Sequence, residues 1–214
     1  GRTRYDFLRP VQWLVLLLGD STLPLELFGR RSGRESRGHR FHANHAVSIA
    51  APSDYIEALR QAKVIADVDE RRAQVAEQVS QLQGKGEQVA LSKELLDEVT
   101  GLVEWPVALR GSFDQGFLDV PAQALISAMK THQKYFHLTD QETGALLPAF
   151  ITVANIESQQ PSEVIAGNER VIRPRLSDAA FFENQKRHTL FAKMFAQRDA
   201  CLSRTHDERV DLFN

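Results

Sequence analysis

Cysteine and long apolar runs are almost absent from this sequence. The one cysteine, Cys201, excludes an internal disulfide and a cysteine-based zinc cluster, because each needs more than one thiol. The longest apolar run, residues 13–18, is far shorter than the ~18 to 20 residues that cross a bilayer, and no signal peptide precedes it. These absences predict a globular protein in a reducing, cytoplasmic setting. The chain starts at Gly1 without an initiator methionine, so we expect a piece of a longer protein.

Common catalytic motifs are lacking as well. The sequence contains no P-loop, no G-x-S-x-G nucleophile elbow and no G-x-G-x-x-G dinucleotide fingerprint. The usual phosphate cradles and the serine hydrolase site are therefore excluded. We predict no catalytic residue, no metal and no cofactor in this chain.

Positive charge is concentrated near the start of the chain. Residues 29–45, GRRSGRESRGHRFHANH, which we call the basic loop, hold five arginines and three histidines against one acid, Glu35. Residues 54–104 carry eleven acids against six bases. This asymmetry indicates a polyanion partner, although a solvated surface balanced by neighbouring acids would leave the same pattern.

The histidines of the basic loop recur at three-residue spacing, as His39, His42 and His45. On a helix this spacing would gather metal ligands on one face, but the stretch lies between strand patterns, where odd spacing alternates faces. Arginine chemistry explains the loop better, because guanidinium forks match phosphate oxygens and glycines allow close backbone approach. The residues of the loop predicted to contact a nucleic-acid backbone are Arg34, Arg37, His39, Arg40 and His42. Capping within a folded loop is the alternative for His39 and His42.

Two later stretches add basic residues. HQKYFHLTD, residues 132–140, suggests a general base, although a structural role at the start of a strand explains it better. GNERVIRPRLSDAAFF, residues 167–182, places three arginines around Pro174, which should kink or divide the helix there. These arginines suit either a clamp on a phosphate backbone or an ordinary helix surface. The further predicted nucleic-acid contacts are Lys134, Arg170, Arg173 and Arg175.

Hydrophobic patterns predict an α/β fold in which helices and strands are mixed along the chain. VQWLVLLLGD and TLPLELFG predict a hairpin of buried strands around Gly19, and AVSIAAP predicts a short strand stopped by Pro52. An amphipathic pattern then predicts one long helix, opened by Asp54 and closed at Gly84.

The second half of the chain continues this mixture of elements. LSKELLDEVTG predicts a helix capped by Ser92, and VEWPVALRG predicts a strand in which Pro106 favours an edge position or a bulge. VPAQALISAMKTHQ predicts a helix entered at Pro121. KYFHLTD and PAFITVANI predict a hairpin that turns at Gly144, and the stretch after it is mostly helical in character.

Five segments, taken in order, closely resemble the beta subunit of bacterial glycyl-tRNA synthetase: FLRPVQWLVLLLGD, RGHRFH, LVEWPVALRGSFDQGFLDVP, HQKYF and GNERVIRPRLSDAAFF. The resemblance runs from about Tyr5 to Phe182, and the segment from Glu183 to Asn214 departs from the family's expected continuation. It implies that residues 1–182 form one B3/B4-like α/β domain with a mixed sheet flanked by helices, similar to that region of phenylalanyl-tRNA synthetase. Residues 183–214 are then expected to form a helical tail or the start of a linker.

The resemblance also implies partners and roles. The family's enzyme contains two alpha and two beta subunits; alpha activates glycine with ATP and Mg, and beta binds tRNA(Gly). We therefore expect the alpha subunit and tRNA(Gly) as partners, no membrane, and no aminoacylation by this chain alone. One alternative is a hydrolytic editing-type module acting on misacylated tRNA, which a pocket lined by His132 and Lys134 would favour. Another is a purely structural scaffold, which an exposed apolar patch near EWPVALRGSF would favour.

Overall fold

The computed structural model describes residues 11–183 and residue 185. Helices and strands occur together in it, which confirms the predicted α/β class. The described residues form two compact units: unit 1 comprises residues 11–82, 91–109 and 153–161, and unit 2 comprises residues 83–90, 110–152 and 162–183. The single B3/B4-like domain over residues 1–182 stays a prediction. The tail predicted for residues 183–214 lies almost entirely outside the described residues.

Three short antiparallel hairpins open unit 1. They are β1 (Leu17–Leu18) with β2 (Ser21–Thr22), β3 (Glu26–Leu27) with β4 (Arg30–Arg31), and β5 (Glu35–Arg37) with β6 (Ala46–Ser48). The predicted turn at Gly19 is confirmed, and its φ of 57° is one that glycine adopts readily. The expected burial of the flanking strands is wrong, because Leu18 is 69% exposed. Paired strands of two or three residues are too short to cover their own apolar side chains.

The long helix predicted between Asp54 and Gly84 is two helices, α1 (Tyr55–Gln61) and α2 (Val68–Gln81). The chain breaks between them at Lys63, whose φ of 58° is left-handed. α2 then begins again at its own cap, Asp67, whose side chain accepts a hydrogen bond from the backbone N–H of Glu70. No glycine or proline marks this break in the sequence. Because the apolar periodicity continues across it, the pattern predicts a single helix.

The helices of unit 1 carry caps, cross-links and buried apolar side chains. α3 (Lys93–Leu102) begins where Ser92 predicted, since the Ser92 hydroxyl accepts a hydrogen bond from Leu95 N–H. Arg60 joins α1 to α2 through a bidentate pair with the Glu70 carboxylate, at 2.5 and 2.6 Å. The buried apolar side chains of this unit include Ile49, Leu59, Ile65, Val75, Val79, Leu95, Val99 and Val103.

A four-stranded sheet lies largely in unit 2. Its order is β7 (Glu87–Val89), β9 (Phe136–Asp140), β10 (Leu146–Ala154) and β8 (Val107–Ser112). β9 pairs antiparallel with both of its neighbours, and β8 occupies the edge position that Pro106 predicted. Gly111 in β8 is required by packing, because a Cβ there would lie 2.5 Å from the Phe150 ring.

Two helices complete unit 2. α4 (Ala122–Ala128) begins after Pro121, as predicted, and continues into a π-helical turn, Met129–Gln133. α5 spans residues 161–183 without interruption, so of the two outcomes predicted for Pro174, a kink or a division, the division is wrong. Ile172 and Leu176, on either side of the proline, are both 0% exposed, and their burial offsets the missing backbone hydrogen bond.

The core of unit 2 gathers side chains from α4, α5 and the sheet. Its buried members are Leu125, Ala128, Met129, Tyr135, Leu146, Phe150, Ile172 and Leu176. The Tyr135 ring stacks on the Phe150 ring at 4.5 Å, and its hydroxyl donates to Asn168 at 2.6 Å. No helix in the part of the chain that the structure describes has the length and apolarity that a membrane span requires.

Candidate nucleic-acid interface

A buried histidine anchors the basic loop. The side chain of His39 is 0% exposed, and its Nε2 lies 2.8 Å from the carbonyl oxygen of Asn155. Its Nδ1 accepts hydrogen bonds from the backbone N–H groups of Phe41 and His42, each at 3.3 Å. Because the backbone carbonyl of Asn155 can only accept a hydrogen bond, Nε2 of His39 must carry the ring hydrogen and Nδ1 must carry none. The structure thereby revises the prediction for His39, which caps the loop and has no exposed atom for a phosphate.

His42 connects the loop to the same later segment. Its Nε2 accepts a hydrogen bond from the backbone N–H of Glu157 at 3.0 Å, which leaves Nδ1–H as a donor. The His42 ring lies 4.8 Å from the His39 ring, centroid to centroid. Phe41, between them in sequence, is 70% exposed. The loop is therefore fixed by its histidines while its aromatic tip faces solvent.

Glu157 is itself held by Lys63 and Trp105. The indole Nε1 of Trp105 donates to the Glu157 carboxylate at 2.8 Å, and Lys63 Nζ lies 3.3 Å from the same carboxylate. Lys63 also lies 4.5 Å from the centroid of the Trp105 ring, within cation–π range. These contacts, first the indole hydrogen bond and then the ammonium charge, hold the pKa of Glu157 below its usual range. The segment that receives His39 and His42 is thus firmly positioned.

The arginines of the loop divide by role. Arg34 donates to the backbone carbonyls of Asp20 and Ala50, at 2.8 and 3.4 Å, and so joins two hairpins of unit 1. Arg37 and Arg40 are exposed, and no ion pair of the described residues involves either one. The guanidinium carbon of Arg40 lies 5.6 Å from the Phe41 ring centroid. Arg37 and Arg40 are therefore loop cations that are placed to meet an anion.

The other predicted contacts belong to unit 2. Lys134 ends the π-helical turn with a left-handed φ of 59°. Arg170, Arg173 and Arg175 are all exposed on α5. Arg173 follows Arg170 by three positions, which puts them on one helix face, but Arg175 follows Arg173 by about 200° around the axis. Arg170 and Arg173 therefore form a pair, and Arg175 points elsewhere.

Arg175 lies instead in an open cleft of unit 2, about 550 Å³ in volume. Its polar lining residues are Gln123, Ser127, His132, Arg175, Asp178 and Glu183. The cleft brings an imidazole, a guanidinium and carboxylates together, whereas Lys134 does not line it. Sequence spacing could not reveal this cleft, because α4 and α5 meet only in the folded unit.

Metal binding finds no support in the described geometry. His39 uses both ring nitrogens in the loop, and His42 uses one. Among residues 11–183, no three His, Cys, Asp or Glu side chains are grouped as a metal site requires. The absence of a metal stays a prediction.

The supporting residues of the loop were not apparent from the sequence. Asn155 lies 116 positions after His39, and its side-chain Oδ1 also accepts from the backbone N–H groups of Glu104 and Trp105. Neither Asn155 nor Glu157 belongs to a charged or histidine-rich stretch. Only the folded chain brings them to the loop.

Comparison with known proteins identifies the family. A family model described as "Glycyl-tRNA synthetase beta subunit" matches residues 1–201. The glycine–tRNA ligase beta subunit of Chromohalobacter salexigens is 55% identical over 188 residues, which cover 87% of this chain and 27% of that protein. The Azotobacter vinelandii protein of the same name is 53% identical over 200 residues, 92% of this chain and 29% of that protein.

Two consequences follow for this chain. The match to residue 201 corrects the expectation that the family pattern ends at Phe182. The chain spans a little over a quarter of the length of the curated relatives it matches. Since the family model covers nearly the whole sequence, the chain belongs to the glycyl-tRNA synthetase beta subunit family.

Proposed function

We propose that this chain is part of the beta subunit of a glycine–tRNA ligase and contributes to binding the backbone of tRNA(Gly). Family membership supports the proposal, and the similar proteins are named glycine–tRNA ligase beta subunits. The observation that carries the tRNA contact is the exposure of Arg37 and Arg40 on a loop that His39 and His42 hold in place.

Preorganisation makes these two arginines suitable for phosphate binding. A loop already fixed by buried hydrogen bonds loses little further conformational freedom when it binds. Exposed guanidinium groups form bidentate hydrogen bonds to phosphate oxygens and release counterions from the RNA. Such contacts position the RNA without reading its bases. The exposed pair Arg170 and Arg173 offers the same chemistry on unit 2.

Catalysis belongs, in this proposal, to the alpha subunit, which would use ATP and Mg to activate glycine. The beta chain would hold tRNA for the transfer step. Highly purified chain without alpha should therefore show no ATP–pyrophosphate exchange in the presence of glycine. Exchange at the rate of the alpha–beta complex would contradict this division.

Steady-state aminoacylation by the alpha–beta complex tests the tRNA role. A double substitution, Arg37→Gln with Arg40→Gln, should raise the KM for tRNA(Gly) several-fold and leave glycine-dependent pyrophosphate exchange unchanged. The matched control is Arg31→Gln, because Arg31 is an exposed arginine of the same loop whose side chain faces Glu26 at 3.9 Å. An unchanged KM for tRNA in the double variant would overturn the proposal for this surface.

A second candidate function is hydrolytic editing of misacylated tRNA, which the cleft around His132 favours. An imidazole beside a guanidinium and carboxylates has the groups that a hydrolytic site needs. Deacylation of alanyl-tRNA(Gly) by the alpha–beta complex, with glycyl-tRNA(Gly) as the control substrate, tests it. Activity lost in His132→Ala would support editing, and no hydrolysis above the uncatalysed rate would exclude it.

We also propose that this chain supports assembly with the alpha subunit. The apolar patch expected near EWPVALRGSF, residues 104–113, is not exposed, since Val107 is half-buried and Pro106 is buried. Exposed apolar side chains occur instead at Leu25 and Leu27, 42% and 38% exposed. Replacing both with Ser should weaken co-purification with alpha if this surface joins the subunits. Unchanged co-purification would remove the surface from the assembly proposal.

A further inference from the structure

A polar cleft of about 440 Å³ in unit 1 is lined largely by residues of the basic loop. Its size falls within the roughly 300 to 1,000 Å³ typical of small-ligand sites. The functional groups that line it belong to Gln12, Trp13, Arg30, Glu35, Ser36 and Arg37. Only Arg37 of this group was among the nucleic-acid contacts predicted from the sequence. The cleft therefore brings together an indole and two guanidinium groups, a combination that the sequence did not predict.

Trp13 is the unusual member of this lining. Its side chain is 43% exposed, so part of a large apolar ring faces water at the edge of a polar cleft. The other tryptophan, Trp105, is engaged by Glu157 and Lys63. Exposed aromatic rings beside cations are the usual platform on which unpaired nucleobases stack.

The two arginines enter the cleft from neighbouring hairpins. Arg30 lies in β4, and its Nε donates a hydrogen bond to the backbone carbonyl of Val11 at 3.2 Å. This hydrogen bond holds its guanidinium group in place. Arg37 ends β5, where it pairs with Ala46 of β6. Since successive strand residues face opposite sides, Arg31 is directed away from the side that Arg30 occupies. Of the adjacent residues Arg30 and Arg31, only Arg30 therefore lines the cleft.

Glu35 decides between possible ligands. An exposed carboxylate in the lining disfavours a ligand that places only phosphate groups inside the cleft. It accepts hydrogen bonds readily from an exocyclic base amine or a ribose 2′-hydroxyl. A ligand with an aromatic base, a ribose and one phosphate matches the indole, the carboxylate and the arginines together.

We propose that this cleft binds an unpaired nucleotide of RNA, with its base stacked on Trp13 and its phosphate held by Arg30 and Arg37. The proposal rests on the proposed tRNA function and adds a preference for a single-stranded element. It assigns Trp13 and Arg30 a binding role distinct from that of Arg40. The cleft distinguishes unpaired from paired RNA because a base inside a duplex cannot leave its stack to reach the indole.

The test uses the full alpha–beta complex with a mixed-sequence RNA octamer, either single-stranded or annealed to its complement. Trp13→Ala should weaken single-strand binding by about 5- to 150-fold, the effect of losing one stacked base, and leave duplex binding unchanged. Trp13→Phe keeps an aromatic face and should retain most of the affinity. The control Leu18→Ala removes an exposed apolar side chain outside the cleft and should change neither affinity.

The arginines have a matched pair of variants. Arg30→Gln should weaken single-strand binding and flatten the slope of log affinity against log salt by about 0.7, whereas Arg31→Gln should leave both unchanged. Equal single-strand affinity for Trp13→Ala and the unmodified complex would overturn the proposal. So would equal losses on single-stranded and duplex RNA, or a loss in Trp13→Phe as large as that in Trp13→Ala. The cleft is tested with Trp13 and Arg30 variants, and tRNA binding is tested with the Arg37 and Arg40 double variant. A negative result for the cleft therefore does not decide the tRNA proposal.

Discussion

Replacing His39 with alanine tests whether a buried imidazole holds the basic loop. The substitution removes the donor to the Asn155 carbonyl and the acceptor for the N–H groups of Phe41 and His42. It also removes ring atoms that no solvent reaches, because His39 is 0% exposed. A loss of stability centred on the loop is therefore expected.

The magnitude follows from the partners that remain. A buried carbonyl left without a donor costs about 1 to 3 kcal/mol, which applies to Asn155. The two N–H groups are those of His42 and of Phe41, whose side chain is exposed. Water can replace part of the lost acceptor there, so each unpaired N–H costs less than the buried carbonyl. We expect His39→Ala to lower the free energy of unfolding by about 2 to 4 kcal/mol, whereas exposed His45→Ala should stay within about 0.5 kcal/mol.

Urea denaturation of the 214-residue chain gives the stability difference. Native-state hydrogen exchange locates it, since the amides of Phe41 and His42 should exchange much faster in His39→Ala. His39→Gln, which places an amide donor near the position of Nε2, should recover part of the loss. Equal unfolding free energies for His39→Ala and His45→Ala would refute the anchoring role.

Three further predictions concern other contacts. Asp67→Ala removes the cap of α2 and should lower the free energy of unfolding by about 0.5 to 2 kcal/mol in urea denaturation; no change would contradict the capping role. Arg110 hydrogen bonding lowers the pKa of Glu87, so this pair should stabilise the protein fully above the ordinary pKa of 4.5. That stability should be lost as pH falls through the lower folded value, and Arg110→Gln should flatten the acid limb of Tm against pH. Burial raises the pKa of Tyr135 to about 12, so ultraviolet titration should show a late tyrosine step that Tyr135→Phe removes.

Local signals predicted much of the fold because each one fixes the backbone of its immediate neighbours. Ser92 supplies an acceptor for a helix N–H, and Gly144 supplies the turn of the hairpin between β9 and β10. The break after α1 escaped prediction because Lys63 adopts a left-handed conformation that sequence patterns assign to glycine. Sequence alone left open whether Pro174 kinks or divides its helix, and burial of the neighbouring side chains keeps the helix continuous.

The candidate site was only partly predictable for a related reason. Arginine density identified the basic loop, but it did not separate Arg34, bonded to two carbonyls, from exposed Arg37. That difference depends on where the neighbouring hairpins place their backbone oxygens. The partners of His39 and the cleft at Trp13 depend on packing between distant segments, which composition and spacing do not encode.

Binding of tRNA(Gly) by the alpha–beta complex across a salt series tests the central claim most directly. The double variant Arg37→Gln with Arg40→Gln should weaken binding largely regardless of base sequence and flatten the slope of log affinity against log salt by about 1.4 to 1.8, with Tm unchanged. Arg34→Gln should do the reverse, lowering Tm while preserving the slope, because its bonds are to Asp20 and Ala50. An unchanged salt slope in the double variant would contradict the claim that this loop contacts the tRNA backbone.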